Sequence, residues 1–237
     1  MAMRAGPGGG AVRSVVFDLD GTLADTAADL IAAANACLAE VGAAPLDPRA
    51  DRATAFRGGR AMLRLGLSRS PGLAWDEALV DLLYARLLDH YGAAICVHTR
   101  LFPGVEAALD RLSAEGVALG ICTNKPEALA RRLVDALGIA PRFGVLVGAD
   151  SLARRKPDPL PLRSAIAALG SSPGRCLMLG DTRTDHDTAR AAGARVALVT
   201  FGAEGDGVAA HGPDALLGHF DELPGLVRRL LGGAESA

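Results

Sequence analysis

Two acids separated by a single residue, Asp18 and Asp20, end an apolar run and are followed by Gly21. Side chains at positions i and i+2 of an extended segment project the same way, so both carboxylates can reach one substrate. Residues 15–17 are β-branched or aromatic and predict a strand buried on both faces, as in a parallel sheet. Ligands bind at the carboxyl ends of such strands, and Gly21 permits a sharp turn there. The stretch therefore predicts an active site.

Three further polar clusters each follow a predicted strand. They are Thr123 with Asn124, then Lys156, and then Asp181 with Asp185. A parallel sheet brings the ends of its strands to one edge, so we expect these clusters to meet Asp18 and Asp20 there. Arginine supplies nearly all the positive charge, and the chain's two lysines, Lys125 and Lys156, each lie next to a proposed site residue.

Carboxylates gathered in this way need a cation. Asp18, Asp181 and Asp185 would repel one another by about 4 kcal/mol per close pair at an effective dielectric constant near 20. Hard oxygen ligands without a histidine or cysteine cluster favour Mg²⁺, which binds through one or two carboxylates and a substrate phosphate.

The segment after the first strand is predicted to be helical. Apolar residues recur at helical spacing from Ala27 to Val41. Residues 45–75 predict short helical pieces, and a long amphipathic helix follows. Its predicted apolar face is formed by Leu79, Leu82, Leu83, Leu87 and Tyr91. The predicted breaks in the short pieces are Gly58, Gly59, Gly66, Pro71 and Gly72. We predict an all-helical cap at residues 25–97, inserted into a core formed by residues 14–24 and 98–237.

From residue 102 onward, helices and strands alternate. The predicted helices are 105–116, 127–137, 160–169, 189–192 and 223–231, and the predicted strands are 117–123, 145–147, 176–179 and 196–200. Right-handed crossovers then predict a doubly wound, Rossmann-like parallel sheet in an α/β core. The Gly-rich residues 1–13 are predicted to be a disordered tail.

Composition excludes several classes of protein. Half of the 237 residues are hydrophobic, which suffices for a real core, and the net charge of -2 offers no general attraction for nucleic acid or an anionic membrane. The four cysteines are far apart, which predicts reduced, mostly buried thiols. No apolar run reaches the roughly 18 residues of a membrane helix, and residues 1–10 lack a signal peptide's apolar centre. We expect a cytoplasmic protein, either monomeric or homodimeric.

The four clusters, in this order, match the motifs of the haloacid dehalogenase-like phosphohydrolases. The resemblance extends to residues 101–105 and 120–126 and covers nearly the whole chain. Within that superfamily the sequence is most similar to the phosphoglycolate phosphatases. The resemblance implies a helical cap domain and an Mg²⁺ ion held by the Asp18 carboxylate, the Asp20 main-chain carbonyl and the Asp181 carboxylate. It implies that Asp185 either supports these ligands or contacts a water bound to the metal.

The resemblance also implies a reaction. Asp18 would attack phosphorus to give an aspartyl-phosphate, and Asp20 would act as general acid and then as general base. The Thr123 hydroxyl, the Asn124 backbone N–H, Lys156 and Mg²⁺ would hold the non-bridging oxygens of the phosphoryl group.

The substrate is expected to be a small phosphorylated metabolite, because an inserted cap suits a lid that closes over a small molecule. Arg57, Gly58 and Arg60 lie where related phosphatases carry a cap loop that faces the core. The arginines either clamp a carboxylate such as that of 2-phosphoglycolate or are solvated, and the sequence favours neither alternative.

Other activities stay open at this point. They include a phosphatase for a sugar phosphate, a nucleotide or pyrophosphate, and a phosphomutase similar to β-phosphoglucomutase. A dehalogenase is disfavoured by Asp20, and a phosphonoacetaldehyde hydrolase by the absence of lysine from residues 25–97. A non-catalytic module that binds a phosphorylated ligand is disfavoured by the intact acid pair and Lys156.

Overall fold

Strands and helices alternate on both sides of one helical segment. The structure, a computed structural model, describes residues 12–232. Within that range the strands are β1 (Val12–Phe17), β2 (Ala24–Asp25), β3 (Arg100–Leu101), β4 (Ala118–Cys122), β5 (Val145–Val147), β6 (Ser171–Gly180), β7 (Arg195–Val199) and β8 (Ala215–Leu217). The helices are α1 (Ala27–Glu40), α2 (Arg52–Ala55), α3 (Gly59–Ser68), α4 (Glu77–Ala93), α5 (Val105–Ala114), α6 (Glu127–Ala136), α7 (Leu160–Ala168), α8 (Arg183–Ala192) and α9 (Leu223–Leu231).

The main sheet has the strand order β5-β4-β1-β6-β7-β8. Neighbouring strands pair in parallel, and Val16 of β1 lies opposite Gly120 of β4 and Met178 of β6. The chain runs from β1 outward to β5, returns to β6, and then runs outward to the other edge. The direction changes beside β1, so the crevice for a ligand lies at its carboxyl end. The predicted doubly wound, Rossmann-like α/β sheet is confirmed.

Both faces of the sheet are covered, as the apolar composition of β1 predicted. Val15 and Phe17 pack on one face with Leu109 of α5, while Val16 packs on the opposite face with Leu162 of α7. The side chains of Val15, Val16 and Phe17 are all fully buried. Alternate residues of a strand point to opposite faces, so an uninterrupted apolar run can fill two cores at once.

Helices α1 to α4, here called the helical insertion, lie between β2 and β3 and share an apolar core of their own. Ile31, Leu63 and Leu83 are among its fully buried side chains. Strands β2 and β3 form an antiparallel ribbon in which Ala24 pairs with Leu101, where the chain leaves and re-enters the sheet region. Sequence analysis did not predict this ribbon, because strands of two residues carry no periodic pattern.

Two expectations about the helical insertion were wrong. Gly66 does not interrupt a helix but lies within α3, where an added Cβ would come within 2.3 Å of Leu38 Cδ1 on α1. Its small size therefore permits close helix packing. Leu82 was assigned to the apolar face of α4 but is 55% exposed, whereas Leu83 and Leu87, at i and i+4, are buried.

The bounds of some elements also differ from the predicted ones. Strand β6 begins at Ser171, five residues before the predicted strand, and the three-residue strand β8 was not predicted. Of the predicted tail, residues 1–11 lie outside the described range, and Val12 and Arg13 already belong to β1.

The four cysteines are free thiols, as predicted, and all but the partly exposed Cys96 are buried. No helix in the described part of the chain is both long enough and apolar enough to cross a bilayer.

Candidate active site

A tight loop at the end of β1 presents Asp18 and Asp20. The Asp18 N–H donates to the Leu179 carbonyl at 2.8 Å, which continues the pairing with β6. Gly21 then adopts a φ of 82°, and its N–H donates to the Ala24 carbonyl at 2.9 Å. A left-handed conformation of this kind favours glycine, so Gly21 turns the chain immediately after the two acids. Both acids line one cavity.

Lys156 joins the loop after β5 to the acids. Its ammonium lies 2.9 Å from Asp18 Oδ1 and 2.6 Å from Asp185 Oδ1, and the residue is 3% exposed. Burial raises the pKa of Asp18 to about 6 because it disfavours the charged form, and Lys156 offsets part of this effect. Asp18 Oδ1 is buried and, apart from this ion pair, accepts no hydrogen bond from the described residues.

Asp181 follows β6 directly and is almost fully buried. Its Oδ2 accepts from the Ala203 N–H at 3.1 Å, and its Oδ1 accepts from the Thr22 hydroxyl at 3.4 Å. Burial raises the pKa of Asp181 well above its ordinary value, and the neighbouring Asp185 and Asp18 add to the rise. Gly21 and Gly202 make room for this carboxylate, since a Cβ on either would come within 2.4 Å of an Asp181 atom.

Asp185 uses both of its oxygens within the protein. Oδ1 accepts from Lys156, while Oδ2 accepts from the Thr182 hydroxyl at 2.8 Å and its N–H at 3.1 Å. The Asp181 N–H also donates to Oδ2, at 3.2 Å. The bond from the Thr182 N–H belongs to a capping box that begins α8 at Arg183, six residues before the predicted helix. Asp185 therefore orients Lys156 and the Asp181 loop.

The acidic cluster suits a divalent cation. Asp18, Asp181 and Asp185 offer carboxylate oxygens that lie within 4.8 Å of one another. Three negative charges against the single positive charge of Lys156 leave a formal charge of -2, which one divalent ion balances. An all-oxygen donor set and the poorly satisfied Oδ1 of Asp18 fit Mg²⁺.

The loop after β4 completes the sheet side of the site. Thr123 donates its N–H to the Val147 carbonyl at 2.9 Å, and its hydroxyl accepts from the Lys125 N–H at 3.2 Å. The Asn124 side chain donates to the Lys156 carbonyl at 3.1 Å. This bond ties the loop after β4 to the loop that carries Lys156.

A cavity of about 400 Å³ lies between these loops and the helical insertion. This volume suits a small ligand. Its lining includes Asp18, Asp20, Thr123, Asn124, Lys125, Lys156 and Asp185 from the sheet side, and Arg57, Gly58 and Tyr91 from the insertion.

Arg57 and Arg60 have different surroundings. Arg57 lines the cavity, whereas Arg60 is absent from its lining. The Arg60 Nε donates to Asp81 at 2.9 Å, and the guanidinium lies 3.8 Å from the centre of the Tyr84 ring.

Asp181 is also absent from the lining of the cavity. It lies behind the lining residues and packs against Gly21 and Gly202.

Sequence reasoning assigned no role to two residues of the cavity. Lys125 stood out only because lysine is rare in this chain, and its ammonium binds Asp20 at 2.8 and 3.1 Å. Tyr91 was interpreted as part of the apolar face of α4, and no pattern in the sequence marks its hydroxyl as different.

Comparison with known proteins places the chain in one family. The profile of the haloacid dehalogenase-like hydrolases matches residues 15–199. A phosphoglycolate phosphatase of Cereibacter sphaeroides is 43% identical over 218 residues, covering 92% of this chain and 98% of that protein. Another, from Rhodospirillum rubrum, is 40% identical over 216 residues, covering 89% of each.

Solved structures of similar fold support the same family assignment. The crystal structure of a predicted phosphoglycolate phosphatase from Haemophilus somnus 129pt matches with a TM-score of 0.82 at 26% identity, covering 92% of this chain and 99% of that one. The family profile spans most of the chain, and the relatives align with this chain over nearly their whole length. The strand order of the sheet also brings the four polar clusters to one edge, as the family's motifs predicted. The chain belongs to the haloacid dehalogenase-like hydrolase family and is one of its phosphatases.

Proposed function

We propose that this phosphatase hydrolyses 2-phosphoglycolate with Mg²⁺, through an aspartyl-phosphate on Asp18. The observation that carries the proposal is the Asp18 carboxylate, which faces a small cavity, pairs with buried Lys156 and has Asp20 two residues away. The names of the relatives from C. sphaeroides and R. rubrum support the choice of substrate.

The metal ligands in this proposal are the Asp18 and Asp181 carboxylates and the Asp20 main-chain carbonyl. Asp185 supports them from behind, since both of its oxygens already accept hydrogen bonds. Bound Mg²⁺ supplies positive charge that stabilises the phosphoryl oxygens and lets the crowded carboxylates stay ionised.

The reaction has two displacements. An Asp18 carboxylate oxygen attacks phosphorus, the bond from phosphorus to the glycolate oxygen breaks, and Asp20 gives that oxygen a proton. Asp20 then takes a proton from water, whose oxygen attacks phosphorus and breaks the bond to Asp18. The products are glycolate and inorganic phosphate, and Asp18 is restored.

The remaining residues hold the substrate. The Thr123 hydroxyl, the Asn124 N–H and Lys156 bind the non-bridging oxygens, whose charge must be stabilised throughout the transfer. The helical insertion acts as the cap over the cavity, and Arg57 beside Gly58 is proposed to contact the substrate carboxylate. Arg60 is the weaker candidate because it already pairs with Asp81.

The test is release of inorganic phosphate from a panel of small phosphomonoesters, with Mg²⁺ and with excess EDTA. We expect Mg²⁺-dependent release, with the highest kcat/KM for 2-phosphoglycolate. A higher kcat/KM for a sugar phosphate, a nucleotide or pyrophosphate would overturn the substrate assignment. Interconversion of sugar phosphates without phosphate release would identify a phosphomutase instead.

A further inference from the structure

Two polar residues that line the cavity, Lys125 and Tyr91, have no part in the reaction proposed above. The Lys125 side chain is 4% exposed, and its ammonium lies 4.2 Å from the centre of the Tyr91 ring. Lys125 comes from the loop after β4, and Tyr91 comes from α4. The pair therefore joins the sheet side of the cavity to the helical insertion.

The Tyr91 hydroxyl is an unpartnered donor. The residue is 1% exposed, and its oxygen has no hydrogen-bond partner among the described residues. Burial raises the pKa of Tyr91 well above its usual value, so the hydroxyl keeps its proton. A buried hydroxyl without a partner costs free energy, and a ligand that accepts its hydrogen bond removes that cost.

Lys125 has a fixed backbone and spare donor capacity. Its N–H donates to the Thr123 hydroxyl, and its carbonyl accepts from the Ala149 N–H at 2.9 Å. The ammonium has three N–H donors, and its described hydrogen bonds go to the two oxygens of Asp20. A second anion can therefore share this ammonium without any movement of the loop.

We propose that Lys125 and Tyr91 recognise a carboxylate on the leaving group of the substrate, with the ammonium shared between that carboxylate and Asp20. This inference rests on the proposed function, in which Asp20 serves the leaving oxygen. In 2-phosphoglycolate the carboxylate is one carbon away from that oxygen. One cation beside Asp20 thus selects an acidic leaving group and orients Asp20 toward it. Arg57, proposed above as a contact of the same carboxylate from the helical insertion, stays unchanged in the variants that test Lys125 and Tyr91.

The test compares 2-phosphoglycolate with ethyl phosphate, in which a methyl group replaces the carboxylate. Steady-state kinetics with Mg²⁺ are measured for the full chain, Lys125→Met and Tyr91→Phe. A hydrogen bond to a charged group is worth roughly a 10- to 100-fold change in binding. We expect Tyr91→Phe to lower kcat/KM for 2-phosphoglycolate about tenfold, mainly through KM, and to change that for ethyl phosphate less than about twofold.

Lys125→Met is expected to lower kcat/KM for both substrates, because Asp20 loses its partner. The loss for 2-phosphoglycolate should exceed that for ethyl phosphate by about 100-fold. Lys125→Arg keeps the charge and should recover part of the preference. Arg131→Met is the matched control, since it removes a cation from an exposed ion pair between Arg131 and Glu127 within α6. It should leave the preference unchanged.

Folding is checked by thermal unfolding. Tyr91→Phe removes a hydroxyl that bonds to none of the residues 12–232, so the Tm of this variant should be equal to or higher than that of the parent. Equal losses on both substrates in Lys125→Met and Tyr91→Phe would overturn the inference while the proposed function stands. If the parent enzyme has the same kcat/KM for ethyl phosphate as for 2-phosphoglycolate, the proposed substrate is overturned, and carboxylate recognition with it.

Discussion

Charged side chains pair in two regions of the molecule: at the carboxyl edge of the sheet and on the outer surface of the helical insertion. At the sheet edge, the Lys156 side chain is 2% exposed and contacts Asp18 and Asp185 together. On the insertion, Arg64 and Glu77 make a bidentate pair while their side chains remain 44% and 62% exposed. The distances between the charged atoms are similar in the two regions, 2.6 to 2.9 Å, but the exposure of the side chains to water is not.

The difference shows that burial and charge balance decide which ion pairs can serve chemistry. An exposed pair keeps its hydration and contributes about 0 to 1 kcal/mol to stability. The buried acids at the sheet edge have lost water without gaining equal positive charge, so their environment favours a bound cation or a proton. The predictions below test this contrast, from the largest expected effect to the smallest.

Asp18→Asn is expected to have the largest effect. It replaces the proposed nucleophile with an amide that cannot form the aspartyl-phosphate, and loss of a nucleophile in covalent enzymes costs on the order of 10⁶ in kcat. Phosphate release from 2-phosphoglycolate is the measurement, with circular dichroism as a check of folding. A folded variant that keeps turnover would show that Asp18 is not the nucleophile.

Asp20→Asn should leave a slow enzyme. General acid-base catalysis is worth about 10² to 10⁴ in rate, so kcat for 2-phosphoglycolate should fall by that factor. The fall should be much smaller for p-nitrophenyl phosphate when formation of the aspartyl-phosphate limits the rate, because nitrophenolate leaves without a proton. The comparison is made by stopped-flow release of nitrophenolate. Equal losses on the two substrates would contradict the role as general acid.

Mg²⁺ should stabilise the fold in a pH-dependent way. Burial raises the pKa of Asp18 to about 6 from 3.8, so without the ion this group's contribution to stability is lost as pH rises through that range. The ion binds the ionised carboxylates and stabilises by about 2.7 kcal/mol at 100 times its Kd. The rise in Tm on adding Mg²⁺ should be larger at about pH 7.5 than at about pH 5. An equal rise at both values would contradict this.

Arg64→Ala should have the smallest effect. It breaks the exposed pair with Glu77, and we expect a loss of less than about 1 kcal/mol in the free energy of unfolding, with kcat/KM unchanged. Urea unfolding and the phosphate-release assay measure the two quantities. A loss of activity would mean that the outer surface of the insertion is coupled to the site.

Most of the sheet side could be predicted from sequence because its signals are local. The apolar run before Asp18 predicted a strand buried on both faces, and β5 and α9 have the predicted bounds. Three short strands were not predicted: β2, β3 and β8 have two or three residues each and depend on pairing with other segments of the chain. Gly66 was predicted to break a helix because nothing near it in the sequence shows why it must be small. The side chain that leaves no room for a Cβ there is Leu38, which lies on another helix.

The sequence by itself determined the α/β class, the order of the four polar clusters and the residues that carry them, since each cluster comes after an apolar strand. Only the tertiary structure decided which charges meet. It placed Lys125 against Asp20 and against the ring of Tyr91, whose hydroxyl has no partner among the described residues, although Tyr91 and Lys125 belong to different regions of the chain. The physical reason is that burial and ion pairing depend on distances between segments, and no periodicity in one segment records them.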